Sequence, residues 1–497
     1  MKIMLKEKVS DKIKVRDIKK WNKGDIITIT SGCGSGKSYF VKNVLYRLAK
    51  EENKKILFLI HRKNCVEQFT KEIEKDKKED VIDIKTYQSL ESKELNKNKQ
   101  QIDFSQYSYI VCDEFHYFVS DSAFNINTDV SLDLIININS AVKIFLSATT
   151  EIIDKYFKWK GYETISYKFQ IDYSFIKSLT FFNKDNTMES FIEEAIKNNN
   201  KRIFFIQSAK KAYELYKKYE KYCLFNCSSS NLEYYKYVDR EKISKMLIKE
   251  KFEERILITT TCLDSGVNII DEDVKHIVCD VQDISSLIQC IGRRRIQHDK
   301  DKIYVYIKSI SNQQLGGKET QLKKKLKMAD FFRKHTIKEY IEEFPKRYDK
   351  TVMVYDVVTE DRDTATKKLN KLMYYKCKYD IADILRMKNF GEYGYCKYLA
   401  HIFGFKDNYR LIEEENKKDD LEEYLESIAD KRLLKEEQKE LIDMIDLRDK
   451  RNRQQKSIKQ LNLYLEENNF QYLIVSKRTK KNNKQIRFWQ VIDLVEN

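Results

Sequence analysis

Long apolar runs are missing from this sequence. No uninterrupted apolar stretch approaches the roughly 20 residues that a membrane-spanning helix needs. The N-terminal stretch MKIMLKEKVSDKIK has no apolar signal core behind its lysines. The balance of 35% charged and 41% hydrophobic residues is that of a soluble globular protein. We therefore expect a cytoplasmic protein with no membrane partner.

Proline and glycine are scarce. Proline occurs once, at Pro345, and only twelve glycines are present among 497 residues. Few glycines are left for ordinary turns, so those present are expected to mark backbone positions that need a missing side chain. Five of the seven glycines before residue 310 lie in three short motifs. These five are Gly32, Gly34, Gly36, Gly266 and Gly292.

The ten cysteines lack the spacing of a metal site. The closest pair, Cys223 and Cys227, has no second pair or nearby histidines, which argues against structural zinc. Cys112 and Cys279 lie inside apolar runs that are typical of strands. Buried, reduced thiols are therefore expected at these positions.

The chain is long and basic. Its length predicts about three domains, and 94 Lys and Arg against 78 Asp and Glu give a formal net charge of +16. This excess favours a polyanionic partner such as nucleic acid. The AT-rich genome of a phage or mobile element would also enrich the chain in Lys, Asn, Ile and Tyr, so charge alone does not identify the partner.

A glycine-rich loop follows the first predicted strand. The strand DIITIT runs into SGCGSGKS, which opens the amphipathic helix YFVKNVLYRLAK. This order is the context of a P-loop, in which backbone N–H groups face phosphates, the lysine reaches the β- and γ-phosphates and the last serine holds Mg²⁺. The strict pattern has glycine at the position of Ser31. The residues expected to bind the nucleotide here are Ser31, Gly32, Cys33, Gly34, Ser35, Gly36, Lys37 and Ser38.

Two adjacent carboxylates end a later strand. The apolar run YSYIVC leads into Asp113-Glu114-Phe115-His116, about 75 residues after the P-loop. A buried strand that delivers two carboxylates is the Walker B arrangement, in which Asp113 holds Mg²⁺ and Glu114 positions the attacking water. The next strand, VKIFL, runs into Ser147-Ala148-Thr149.

The alternation of strands and helices continues after residue 183. The strand RIFFIQS precedes a helix, the strand ILITT leads into TTCLDSGVNI, and a further helix carries SSLIQCIGRRRI. An arginine that arrives from a second core stabilises charge on the transferring phosphoryl group only when the two cores close.

These segments, in this order, resemble the conserved motifs of superfamily 2 helicases of the DExH type over about residues 20–310. The resemblance implies an α/β fold with two tandem RecA-like P-loop domains that have parallel sheets, over residues 1–165 and 166–310. A mainly helical accessory region, residues 311–497, would follow. The box reads DEFH and no Q-motif precedes the P-loop, so we expect DNA rather than RNA as the partner.

The resemblance also implies roles for residues outside the P-loop. His116, Ser147 and Thr149 would couple the nucleotide state to the nucleic acid. Catalytic residues would be Lys37, Asp113 and Glu114 of the first core with Gln289, Arg293 and Arg295 of the second, while Gly266 and Asn268 would face the nucleotide. The common form of the last motif has arginine where this chain has Ile296. We therefore expect Arg293 and Arg295 to be the two arginine fingers, the arginines that approach the nucleotide from the second core.

Nucleic-acid contacts are implied for four residues of the cores. Arg62 and Gln68 lie in HRKNCVEQF, Thr86 opens TYQSL and Thr260 follows ILITT. Each of the first two segments, taken alone, also fits an ordinary loop and helix start.

The C-terminal region resembles no family. A charged helix is predicted from about Lys318 to Phe344, where Pro345 ends it, and a charged helical stretch is predicted through Gln454. The tail combines the helix SIKQLNLYLEENN with the strands QYLIVSK and QIRFWQVID. A helix with a basic hairpin is reminiscent of a winged helix whose wing grips a duplex, and a capping hairpin fits equally well. The wing residues would be Lys477, Arg478, Lys480 and Lys481.

Taken together, the sequence predicts an ATP- and Mg²⁺-dependent helicase or translocase that acts on DNA. Two alternatives stay open: a duplex-DNA translocase or remodeller that does not unwind, and a nucleic-acid sensor or scaffold with slow ATP hydrolysis.

The first prediction concerns the P-loop lysine and the second carboxylate. Lys37→Ala and Glu114→Gln are each expected to lower ATP turnover by at least about two orders of magnitude, because one removes charge stabilisation of the γ-phosphate and the other the orientation of water. Steady-state ATPase assays measure this. Near-normal turnover in either variant would contradict the site assignment, and Glu114→Gln should still bind ATP.

Overall fold

The computed structural model describes residues 8–32, 34–61, 63–95, 102–123, 125–148, 151–263, 267–345, 353–358, 365–449, 453–481 and 484–494. The chain divides into two compact units, Met1–Tyr409 and Arg410–Asn497. Among the described residues, no helix is both long and apolar enough to cross a bilayer.

The first core is built on a parallel sheet. Its elements are α1 (Val9–Lys12), α2 (Val15–Ile18), β1 (Ile26–Thr30), α3 (Lys37–Tyr39), a π-helical segment (Phe40–Leu45), α4 (Tyr46–Glu51), β2 (Lys55–Ile60), α5 (Lys63–Lys75), β3 (Ile82–Thr86), α6 (Tyr87–Leu95), β4 (Tyr107–Asp113), α7 (Tyr117–Ser120), α8 (Thr128–Ile136), β5 (Val142–Ser147), α9 (Glu151–Lys160) and β6 (Ile165–Lys168). The strand order is β3-β2-β4-β5-β1-β6. The central strands are almost wholly apolar because helices cover both faces of the sheet.

Register brings three strand ends to one edge of this sheet. Thr30 pairs with Ser147, and Asp113 pairs with Leu146. In addition, the Ser31 N–H donates to the Ser147 carbonyl at 3.0 Å. The carboxyl ends of β1, β4 and β5 therefore lie together, which is where open parallel sheets bind ligands.

The second core repeats this architecture. Its elements are β7 (Ile176–Phe182), α10 (Asp185–Lys197), β8 (Lys201–Ile206), α11 (Ala209–Lys218), β9 (Cys223–Asn226), α12 (Leu232–Tyr235), α13 (Arg240–Lys249), β10 (Ile256–Thr259), β11 (Val274–Asp280), α14 (Ile284–Gly292) and β12 (Ile303–Lys308). These strands are parallel in the order β7-β12-β11-β8-β10-β9. The predicted α/β fold class with two parallel-sheet cores is confirmed.

The segment after β12 packs with the cores in the same unit. It contains α15 (Asn312–Phe332), α16 (Ile337–Glu343), β13 (Val354–Val358), β14 (Ala365–Leu369), α17 (Lys371–Asn389) and α18 (Gly394–Ile402). Leu372 and Tyr375 of α17 join the apolar cluster on one face of the first sheet. The Asn370 amide also donates to the Ser122 carbonyl at 2.9 Å.

The single charged helix predicted from Lys318 to Phe344 is wrong. Two helices, α15 and α16, occupy the segment, because the Thr336 hydroxyl accepts from the Glu339 N–H at 3.3 Å while the Glu339 carboxylate accepts from the Thr336 N–H at 2.7 Å. This capping box starts a new helix within the charged run.

The second unit contains helices and a hairpin. Its elements are β15 (Arg410–Leu411), α19 (Ile412–Ile428), α20 (Lys435–Ile445), α21 (Ile458–Glu467), β16 (Tyr472–Lys481) and β17 (Lys484–Asp493). Strands β16 and β17 pair antiparallel from Tyr472–Asp493 to Lys481–Lys484. Leu421, Leu441, Leu461 and Val491 share one apolar core that joins the three helices to the hairpin. The predicted helix and basic hairpin at the tail are confirmed.

Two glycines provide a test of the accessory packing. A Cβ at Gly394 would lie 2.2 Å from the Met387 carbonyl oxygen, whereas one at Gly317, inside α15, would meet nothing within 4 Å. We expect Gly394→Ala to destabilise the protein by about 1–3 kcal/mol, as overpacking does. Gly317→Ala should stabilise it by up to about 1 kcal/mol through helix propensity. Thermal or denaturant unfolding measures both, and equal effects would contradict the packing of α18 on α17.

Candidate nucleotide-binding site

The P-loop lies between β1 and α3. Gly34 and Gly36 adopt left-handed backbone angles, with φ of +77° and +84°, which explains glycine at both positions. The Lys37 ammonium donates to the carbonyls of Ser31 at 2.8 Å and Gly32 at 3.3 Å. Lys37 thus lies across the inside of the loop. Of the predicted loop residues, Cys33 lies outside the described residues.

Two hydroxyl groups of the loop are buried without a hydrogen-bond partner in the described structure. They are the Oγ atoms of Ser31 and Ser35. Buried polar groups in proteins are almost always paired, and loops of this kind close around phosphate oxygens. The loop therefore fits a nucleotide phosphate, and Ser31 provides a small side chain where the strict pattern has glycine.

Asp113 and Glu114 leave β4 beside this loop. Glu114 has a φ of +47°, an uncommon backbone angle for a residue other than glycine. Strained angles of this kind concentrate at functional sites. The Glu114 carboxylate accepts a hydrogen bond from the Ser147 hydroxyl at 3.3 Å, so the end of β5 contributes to its orientation.

The two carboxyl groups differ in electrostatic environment. Burial and the neighbouring Glu114 charge raise the pKa of Asp113 to about 7, although the Lys37 charge acts against the rise. Burial alone would raise the pKa of Glu114 as well, but the neighbouring His116 imidazole and the charge of Lys37 outweigh it and lower that pKa. Negative charge is thus concentrated where a cation would relieve it.

This donor set fits magnesium. The Asp113 carboxylate and the Ser38 hydroxyl are hard oxygen ligands, and Mg²⁺ typically takes one or two protein oxygens together with phosphate oxygens and water. Among the described ranges, no group of three or more His, Cys, Asp and Glu side chains is arranged to hold a metal ion.

A chain of hydrogen bonds joins the first core to the second. The His116 Nδ1 atom lies 3.1 Å from the Ser147 hydroxyl, and its Nε2 atom lies 2.9 Å from the Gln289 amide nitrogen on α14. If that amide donates, Nε2 accepts, the Nδ1–H donates to Ser147 and Ser147 donates to Glu114. His116 and Gln289 are both more than nine-tenths buried.

The arginine cluster after α14 contains three different environments. Arg293 donates to the carbonyls of Gln289 at 3.3 Å and Val267 at 3.4 Å. Arg295 donates to the Asn268 side chain at 2.6 Å. Backbone bonds between Ile269 and both Arg293 and Arg295 tie this cluster to the segment after β10.

Arg294 is a structural residue of the second core. Its guanidinium donates to both carboxylate oxygens of Asp301 at 2.8 Å, and both residues are fully buried. Removing one partner of such a pair leaves an uncompensated buried charge. Arg294 is therefore committed to Asp301, whereas Arg293 and Arg295 bond to the segment after β10.

The remaining predicted residues of the cores are not gathered into the site. Thr86 ends β3, where its hydroxyl accepts from the Ser89 N–H at 3.1 Å and caps α6. Thr260 follows β10, and its hydroxyl accepts from the Cys262 N–H at 3.4 Å. Arg62, Thr149, Gly266 and the side chain of Gln68 lie outside the described residues.

The basic tail lies in the second unit. Lys477 and Arg478 are exposed on β16, and the side chains of Lys480 and Lys481 are outside the described part of the chain. The exposed Arg432 guanidinium lies over the buried Phe488 ring at 5.4 Å, which ties this arginine to the hairpin.

Three residues near the site were missed by sequence reasoning. Asp283 caps α14 by accepting from the Ser286 N–H at 2.8 Å and lies 3.9 Å from Lys376 on α17. The His61 ring lies 6.4 Å from the His116 ring, and the Tyr87 hydroxyl donates to the Asp113 carbonyl at 2.9 Å. Asp before an apolar helix signals a cap, but no pattern in the sequence signals the other two contacts.

Residues 3–152 match the family model of the type III restriction enzyme, res subunit. This match lies in the first core and agrees with the resemblance predicted for that core. No curated protein shows a significant match to this sequence.

Several solved structures are similar to this chain at low identity. A variant of Dbp5 from S. cerevisiae, bound to RNA and ADP BeF3, is 16% identical, with a TM-score of 0.43 over 57% of this chain and 79% of that one. MrfA, a DUF1998 helicase bound to DNA and AMPPNP, is 18% identical, with a TM-score of 0.42 over 59% and 47%. The type ISP enzyme LlaBIII, bound to DNA, is 11% identical, with a TM-score of 0.39 over 56% and 26%. None of these three reaches a TM-score of 0.5, and none identifies the ligand of this chain.

The contact between His116 and Gln289 can be tested with a double-mutant cycle. His116→Ala and Gln289→Ala should each lower kcat/KM for ATP hydrolysis, and the double variant should lose less than the sum, with a coupling energy of about 0.5–3 kcal/mol. Gln313→Ala, an exposed glutamine on α15, is the matched control and should leave the rate unchanged. Strictly additive losses would contradict a catalytic contact between the cores.

Proposed function

We propose that this protein is an ATP-dependent helicase or translocase that acts on DNA and couples hydrolysis between its two cores to movement along a strand. The observation that carries the proposal is the chain of contacts from Glu114 through Ser147 and His116 to Gln289. It joins the carboxylate that would orient the attacking water to the helix that presents Arg293. A site that spans two cores can change with their separation.

The first core supplies nucleotide binding in this proposal. Lys37 would exchange its two carbonyl partners for the β- and γ-phosphates, and the orphaned serine hydroxyls would bind phosphate oxygens. Asp113 and Ser38 would hold Mg²⁺, which neutralises charge on the phosphates when bound. Glu114 would position the water, since its lowered pKa keeps it ionised as an acceptor.

The second core supplies charge stabilisation. Arg293 would release its two carbonyl partners and approach the γ-phosphate as the cores close, and Arg295 would follow beside Asn268. Arginine fingers contribute about 10³–10⁵-fold to related phosphoryl transfers. The buried Arg294–Asp301 pair supports this division of roles, because it anchors the segment between the two fingers.

The nucleic acid would contact both cores and the tail. Thr86 at the end of β3 and Thr260 after β10 offer hydroxyl groups at the carboxyl edges of the two sheets, which suits contacts to the phosphate backbone. Lys477 and Arg478 would add charge from the hairpin. The net charge of +16 supports a grip in which phosphate contacts dominate.

One assay tests the proposal. ATP turnover should rise when single-stranded or duplex DNA is added, and should rise less with RNA, because a bridging strand favours the closed, hydrolysing arrangement. A rate indifferent to every DNA and RNA would overturn the motor proposal. Stimulation by RNA alone would support the motor proposal but would identify RNA, rather than DNA, as the polymer. Stimulation by duplex DNA without strand separation in an unwinding assay would identify the non-unwinding translocase.

The affinity for DNA should fall steeply with salt, as counterion release requires. Replacing Lys477 and Arg478 by Gln should reduce the slope of that dependence by about one for each phosphate that the hairpin no longer neutralises. Glu466→Gln and Glu467→Gln on α21 provide the opposite-charge control. An unaltered slope would make the hairpin a structural cap.

A further inference from the structure

Tyr87 joins the turn after β3 to the carboxylate strand. It is fully buried, it follows Thr86 directly, and its hydroxyl donates to the Asp113 carbonyl at 2.9 Å. Burial and the nearby Cys112 and Asp113 raise the pKa of Tyr87 well above its usual value. The hydroxyl therefore keeps its proton and remains a donor.

The ring of Tyr87 holds the segment that follows the carboxylates. It stacks on Tyr117, with ring centroids 4.9 Å apart and planes 8° from parallel, and it meets Phe118 edge-on at 4.7 Å. Tyr117 is the residue after His116. The first turn of α6 thus contacts β4 through a hydroxyl and α7 through an aromatic stack.

Neighbouring side chains reinforce this contact. Gln88 donates to the Tyr117 hydroxyl at 3.2 Å, and that hydroxyl donates to the buried Glu91 at 3.3 Å. The His61 ring, at the end of β2, lies 5.4 Å from the Tyr117 ring. Nucleic-acid contacts are predicted at positions 62 and 86. The two segments that carry these positions therefore both lie against residues 113–118.

We infer that Tyr87 is a positioning residue that transmits nucleic-acid binding at the Thr86 turn to the Asp113 end of β4. The inference rests on the proposed function and goes beyond it by naming the physical link inside the first core. Thr86 caps α6, so a nucleic-acid strand bound at Thr86 would bias the position of the first turn of α6. Tyr87 carries that bias directly to the peptide between Asp113 and Glu114.

The sensitivity of that peptide explains why one hydrogen bond can matter. Glu114 has a φ of +47°, and its carboxylate direction depends on the backbone that Asp113 begins. A donor fixed to the Asp113 carbonyl restricts rotation of this peptide. When the donor moves with α6, the direction of Glu114 changes with it, whereas a phenylalanine ring would keep the stack without this restraint.

The test uses the full chain with Tyr87→Phe, which removes one oxygen atom. Tyr107→Phe is the matched control, because Tyr107 is equally buried at the opposite end of β4 and its hydroxyl donates to Asp83 at 2.7 Å. Two quantities are measured with single-stranded DNA: the factor by which polymer stimulates ATP turnover, and the factor by which AMP-PNP with Mg²⁺ changes DNA affinity. The melting temperature reports on folding.

We expect Tyr87→Phe to reduce both factors by about three- to tenfold, the effect of one hydrogen bond. DNA should change AMP-PNP affinity by the same factor by which AMP-PNP changes DNA affinity, because linkage between two binding equilibria is reciprocal. These two affinity factors should therefore fall equally in Tyr87→Phe. Tyr107→Phe should keep the wild-type factors at a similar melting temperature. A purely structural tyrosine would lower the melting temperature and leave the coupling factors unchanged.

Unchanged factors in Tyr87→Phe, with wild-type protein stimulated by DNA, would overturn this inference and leave the motor proposal standing. Wild-type protein that responds to no polymer would overturn both. If Tyr87→Phe did not fold, Gln88→Ala would replace it, because Gln88 is exposed and removing its bond to Tyr117 loosens the same contact between α6 and α7. Wild-type coupling in Gln88→Ala would then overturn the inference.

Discussion

The buried contact between His116 and Gln289 is the hydrogen bond that joins the two cores beside the candidate nucleotide site. It places the His116 imidazole of the first core against the Gln289 side-chain amide of the second, at 2.9 Å. Buried polar groups are costly when left unpaired. Separating the cores therefore requires water or ligand to satisfy both side chains.

The pattern of the sequence was sufficient for the local features of the site. Strand, loop and helix around Lys37, carboxylates at the end of β4 and a hydroxyl at the end of β5 each follow from a short motif, and parallel pairing brings their ends together. The order of motifs also predicted a second core. Such features are local, and register in a buried sheet is strongly specified.

Contacts between distant segments could not be predicted in this way. The Thr336-x-x-Glu339 pattern of a capping box is present in the sequence, but the charged residues on both sides of it also fit a single helix. The hydrogen bond from Tyr87 to Asp113 crosses 26 positions, and its partner is a backbone carbonyl, which every residue has. The sequence also does not distinguish Arg293, Arg294 and Arg295 from one another. Only the structure shows that Arg294, the middle one, pairs with Asp301.

The packing of α17 on the first sheet has a consequence for how the chain is made. During synthesis the strands of the first core leave the ribosome some 200 residues before Leu372 and Tyr375, which complete one of its apolar faces. Until then the part of that face that α17 covers is exposed in the nascent chain, and exposed apolar surface of this kind promotes aggregation. A shortened chain that ends after β12 would retain every predicted nucleotide-binding motif. Its apolar surface that α17 covers in the full chain would stay exposed to solvent. The accessory region thus completes the cover of an apolar face of the first core.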